Sequence, residues 1–199
     1  MPGTFDIALY YAHETAGIWS LSTLAEHRGV IHFDDLAPDA FYNALGAIRF
    51  YHDRYHCFLE TGEAGEVVSY VYFLMETSIR LLGNRAPEDL QWLAPPHEIP
   101  GFDTVLSALH QEDGSRIVLQ SAGEDILISF IDANGNAPEI RLSPYFRNYR
   151  VGAEQWQRSA VQALDEYFSV ARERLDEGRS ESLEKLYSHW LLLRGSIGI

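Results

Sequence analysis

The residues most suggestive of chemistry lie in one run, His52-Asp53-Arg54-Tyr55-His56-Cys57-Phe58-Leu59-Glu60. Read on a helix, His52, His56 and Glu60 recur every fourth residue and stack one turn above another. Two imidazoles and a carboxylate form a ligand set for zinc or iron that leaves positions open for water, the arrangement of a metal-dependent enzyme. Asp53 follows His52, so the His-Glu-x-x-His pattern of metalloproteases, with its catalytic Glu, is not met. The competing reading is an interfacial histidine pair hydrogen-bonded to a carboxylate such as Glu76. Cys57 beside a histidine is a nucleophile only if it is exposed and its pKa is lowered; packed on a buried helix, a thiol is inert.

Carboxylates form a second set. Asp34, Asp35 and Asp39 cluster around one expected helix start, and Glu60, Glu63 and Glu66 surround the turn that follows it. They belong to a strongly acidic chain of 199 residues, with 15 Lys+Arg against 29 Asp+Glu and a formal net charge of −14. The excess is uneven: residues 1–113 hold 17 acidic and 5 basic residues, net −12, whereas residues 114–199 hold 12 and 10, net −2. A net charge of magnitude about 2–8 serves the solubility of a small domain. A larger field of one sign steers a partner of the opposite sign, so the six carboxylates are read as a docking surface for a basic protein.

The same field opposes nonspecific binding to nucleic acid and to anionic membranes. Arg141, Arg147, Arg150 and Arg158 interleave with Tyr145, Phe146, Tyr149 and Trp156, a combination suited to phosphate or base recognition. Within so acidic a chain these arginines are expected instead to pair with the front half and to stack at the join between halves. Asp132-Ala133-Asn134-Gly135-Asn136 lacks the spacing and the terminal Glu of a calcium loop and is read as a hairpin turn. Nucleophile elbows, phosphate-binding loops and dinucleotide fingerprints are absent from the sequence. A non-enzymatic binding protein needs no cofactor; the metal-enzyme alternative needs zinc or iron.

The elements must position these residues. At 46% hydrophobic and 13% aromatic, the chain can bury a core, and one compact domain over residues 1–199 is expected. Phe5, Ile7, Leu9 and Tyr11 alternate like a strand, but Ile18, Leu21, Leu24 and Ala25 recur like a helix, and residues 5–27 are read as mostly helical. Pro38 opens a second helix whose face is Phe41, Leu45, Ile48, His52, Tyr55 and Leu59. Val67–Leu82, apolar on most of its circumference, predicts a central helix that stops at Gly83-Asn84. Pro87, Pro95, Pro96 and Pro100 predict an irregular connector, followed by a short helix over Phe102–His110.

Strands are expected at Arg116–Ser121, Asp125–Ile131 and Glu139–Ser143, with Asn134-Gly135 between the last two. Two apolar stripes on either side of Gly178 predict two closing helices: Trp156 through Leu175, then Leu183 through Leu191. The expected fold is thus α+β: a helical front part over 1–113, then a small antiparallel three-stranded meander and two C-terminal helices over 114–199.

The single cysteine, Cys57, fits a reducing cytoplasm, and no basic segment leads into an apolar one at the N-terminus. The most apolar stretch, Val67 to Met75, is far short of the roughly 20 residues that span a bilayer, so the chain is read as soluble and cytoplasmic. A small acidic α+β chain, with a short meander followed by a helix carrying Trp156, Val161, Ala163, Leu164, Glu166, Tyr167 and Phe168, resembles bacterial immunity proteins of toxin–immunity pairs. The resemblance covers roughly residues 115–175. It implies a non-enzymatic inhibitor that binds a cognate toxin, often a basic nuclease, and blocks its active site. Such families share no universal binding residues, so it assigns none here.

Overall fold

Alternation, not helical spacing, decides the front of the chain. The computed structural model describes residues 4–15, 18–23, 37–52, 56–61, 65–136 and 146–198. Phe5–Thr15 is a strand, β1, and Ile18–Thr23, β2, pairs back on it antiparallel. Phe5, Ile7, Leu9 and Tyr11 are buried while Asp6, Ala8, Tyr10 and Ala12 are half-exposed, the period-two mark of a sheet covered on one face. The helix expected over residues 5–27 is therefore replaced by two strands; residues 24–27 lie outside the described residues.

The helix expected from Pro38 onward is also corrected. Pro38 does open a helix, α1, but it spans only Pro38–Tyr42, with Asp39 in its first turn. The chain then turns into β3 (Leu45–His52) and β4 (His56–Glu60), and Gly65–Glu66 (β5) adds a short pairing to β3. The first sheet has the order β2-β1-β3-β4, all antiparallel. Ile48 and Phe50 fill its inner face opposite Leu9 and Ile7, so pairing with β1, some forty residues earlier in the chain, outweighs the local helical pattern.

The next helix, α2 (Val67–Leu82), matches its sequence reading; it is buried along most of its length and ends at Gly83, whose φ of +55 suits glycine. The proline-rich connector holds two short 3-10 turns, Gly83–Arg85 and Glu88–Leu93. Where a short helix was expected there is a strand, β6 (Val105–His110). It is followed by β7 (Arg116–Ala122) and β8 (Asp125–Ile131), which match two expected strands. The third, Glu139–Ser143, lies outside the described residues; the edge strand is β9 (Phe146–Gly152). The second sheet therefore has four antiparallel strands, β6-β7-β8-β9, not three. The Asp132–Asn136 turn is closed by the Gly135 N–H donating to the Asp132 carbonyl at 3.0 Å, with the Asp132 carboxylate accepting from the Asn134 and Asn136 N–H groups.

The helices α3 (Ala153–Glu177) and α4 (Glu181–Ser196) end the chain as expected, and the Ser180 hydroxyl caps α4 by accepting from the Leu183 N–H at 3.3 Å. The fold is α+β, but it is built on two antiparallel sheets and its front half is strand-rich. Helices α2 and α3 pack on each other and each touches both sheets. Trp156 of α3 sits where they meet, fully buried, stacked on Phe5 and Phe50 with centroids 5.5 and 5.7 Å away and edge-on to Phe73. Among the described residues no helix is long and apolar enough to cross a membrane.

Candidate interaction face

Strand register places a defined set of side chains on the outer face of the first sheet. With Ile7, Leu9, Ile48 and Phe50 inward, the opposite parity carries Asp6 across from Tyr51, Ala8 across from Arg49 and Tyr10 across from Ala47. On the other side of β3, Glu60 pairs with Arg49, Cys57 with Tyr51, and Glu66 with Leu45. Glu60 and Glu66 therefore project from one face. Their partners are four residues apart on β3, a separation of about 13 Å at the usual rise per residue.

A polar network orders this face. The Arg49 guanidinium donates to Glu60 at 2.7 Å and stands 4.2 Å over the Tyr10 ring, and the hydroxyls of Tyr10 and Tyr51 lie 2.5 Å apart. Burial alone would weaken the Arg49 charge, but its contacts with Glu60, Tyr10 and Tyr51 outweigh burial and hold its pKa above the ordinary arginine value. Burial, reinforced by the bond to Tyr10, raises the Tyr51 hydroxyl above the usual tyrosine range. Both groups therefore keep one charge state at neutral pH. Around Arg49 the face holds the carboxylates Asp6, Glu60 and Glu66.

Of the six carboxylates expected to dock a partner, Asp34, Asp35 and Glu63 lie outside the described residues. Asp39 is exposed on α1 immediately before the sheet, and Glu60 and Glu66 are exposed on its outer face.

The metal reading loses its premise. His52, His56 and Glu60 are not one helical row; His52 and His56 face each other across the β3–β4 hairpin. Alternation sends Glu60, opposite Arg49, to the face opposite His52. His52 Nδ1 instead shares a 2.7 Å hydrogen bond with the Tyr149 hydroxyl of β9. Among the described residues no group of three His, Cys, Asp or Glu side chains could hold a metal ion. Glu76, expected beside that histidine pair, is joined at 2.6 Å to His97 of the connector, and burial raises its pKa.

The arginine segment also differs from expectation. Arg150 pairs with Asp125 at 3.0 Å and Arg158 with Glu154, both acids of the back half. Arg147 donates to the Gly135 carbonyl at 2.6 Å and lies 4.6 Å over Phe102. Arg141 lies outside the described residues. The two sheets meet through aromatic rings that sequence patterning did not single out as a group: Phe58 of β4 stacks on Tyr149 of β9 with centroids 4.1 Å apart.

Cys57 is exposed and its thiol donates to the Leu59 carbonyl at 3.4 Å. Partial burial of the thiol, then the Glu60 carboxylate, pushes its pKa up. Alkylation by iodoacetamide at pH 7.5 is expected to run several-fold slower than for a free cysteine, and faster in Glu60→Gln. A rate equal to that of free cysteine would contradict this.

No family model matches the chain, and neither the curated proteins nor the solved structures compared with it yield a significant match.

Proposed function

We propose that the chain is a non-enzymatic inhibitor of immunity type, which docks a basic protein such as a cognate toxin on the outer face of its first sheet. The carrying observation is the company that Glu60 and Glu66 keep: with Asp6 they surround Tyr10, Tyr51 and Arg49 on one face. Tyrosine and arginine are the residue types that anchor protein interfaces, and carboxylates around them steer a cationic partner. The bonds joining Tyr10, Tyr51, Arg49 and Glu60 hold those side chains before any partner arrives, which lowers the ordering cost of binding. A cytoplasmic site of action belongs to the same proposal and rests on the lone cysteine.

The test is co-purification with the basic polypeptide encoded beside this gene, followed by calorimetry at 50 and 300 mM salt. Binding is expected to weaken with salt, and Glu66→Arg is expected to weaken it further by about tenfold, chiefly through the association rate. Glu112→Arg, on the turn after β6, is expected to cost far less. No co-purifying partner, or binding indifferent both to salt and to Glu66→Arg, would sink the reading.

A further inference from the structure

We propose a second docking surface, the ridge formed by Trp92 and the outer stripe of α4, whose occupant is a basic amphipathic segment of another protein. The 3-10 turn Glu88–Leu93 buries Leu90 and leaves Trp92 58% exposed. Helix α4 buries Leu183, Leu186, Trp190 and Leu193 against the core. Its other side carries Lys185, His189 and Leu192 along one line, at i, i+4 and i+7. Leu192 is 49% exposed, so with Trp92 it leaves a large apolar surface open on this side.

Trp92 belongs to that stripe and not only to its own turn. Its ring meets His189 edge-on at 5.4 Å, and the Lys185 ammonium lies 5.4 Å from its centroid. Burial, then the neighbouring Lys185, lowers the His189 pKa, so the imidazole beside Trp92 is neutral at neutral pH. Tryptophan is one of the residue types enriched at the energetic centres of protein interfaces.

Charge selects the occupant. Glu88 and Asp89 lie on the turn that carries Trp92, and Asp89 shares its face because residues three apart eclipse in a 3-10 turn. Glu181 and Glu184 occupy the first turn of α4, and Lys185 is the one cation among them. These four carboxylates are exposed, and none enters an ion pair among the described residues. A second copy of this chain would bring rim against rim with like charge, and an anionic membrane has the same fault. An amphipathic helix with Leu on one face and Lys or Arg on the other satisfies both parts, covering Trp92 and Leu192 while pairing with the rim. This surface contains none of the residues of the first sheet's outer face and stands independently of the function proposed for that face.

The test uses the full chain and an 18-residue synthetic amphipathic peptide of Leu and Lys, with its Leu and Glu counterpart as control. Subtracting the emission of Trp92→Phe from that of the wild type isolates the Trp92 fluorescence. That component is expected to shift to the blue, saturably, with the Leu and Lys peptide alone. Calorimetry is expected to show about tenfold weaker binding in Trp92→Ala and in Leu192→Ser, with Glu112→Arg within about twofold of wild type. Unmoved Trp92 emission, an equal response to the Leu and Glu peptide, or undiminished binding in Trp92→Ala each overturns the proposal. A concentration-dependent dimer in sedimentation that Leu192→Ser abolishes would assign the ridge to a second copy and overturn it equally.

Discussion

Trp156→Ala is expected to destabilise the protein by about 3–5 kcal/mol, the usual cost of truncating a fully buried tryptophan. The indole is 0% exposed and its neighbours are rings: Phe5 and Phe50 from the first sheet stack on it, and Phe73 from α2 meets its edge. Three elements thus converge on one side chain of α3, and no rotamer change nearby can refill so large a void. Because a whole domain is stable by only about 5–15 kcal/mol, such a loss is a large share of the total. Urea unfolding is expected to show a sharply lowered midpoint at an unchanged slope. Trp156→Phe should recover most of the loss, since the indole N–H is buried without a hydrogen-bond partner among the described residues and the ring swap forfeits none. A loss below about 1 kcal/mol in the alanine variant would contradict this packing.

Gly46→Ala is expected to cost about 3 kcal/mol or more, at the upper end of overpacking penalties. A Cβ at this position would lie 1.9 Å from the Tyr10 carbonyl oxygen and 2.6 Å from Val67 Cγ2. The first obstacle is backbone, so the substitution must push β1 and β3 apart where Tyr11 pairs with Gly46. The Tyr70 hydroxyl, which donates to the Gly46 carbonyl and accepts from the Gly65 N–H, ties β5 to the same point. Thermal melting should report the lost stability, and amide exchange should show it concentrated in β1 and β3. An alanine variant with unchanged exchange in these strands would mean that the close approach is absent. The outer face should suffer too, because the same register sets Tyr10 and Arg49 beside Glu60.

Both predictions concern residues whose importance sequence patterning does not reveal. Trp156 was one member of a helical stripe and Gly46 one glycine among fifteen; only the strand pairings make either position singular. The candidate face is similar. Glu60 and Glu66 were legible as part of an acidic front half, but Tyr10, Tyr51 and Arg49 became their neighbours through register. His52 and His56 drew attention for a spacing that fits one helical face. It equally fits two residues paired across adjacent antiparallel strands, and there, among the described residues, the ligand set expected of them with Glu60 does not assemble.

The sequence alone determined the elements whose hydrogen bonds are local. α2, α3 and α4 follow from apolar stripes, their stops and their cap, because a helix bonds within itself and needs only a covered face. It also determined the α+β class, the strands β7 and β8 with their short apolar runs, and the excess of negative charge. Tertiary structure alone decided the strands of the front half. A strand obtains its backbone bonds from a distant segment, as Ile7 does beside Phe50, so a stretch such as 45–59 with apolar residues at mixed spacing is settled by whichever partner it finds. That pairing turned an expected helix with a metal-ligand row into a sheet with an acidic, tyrosine-lined outer face.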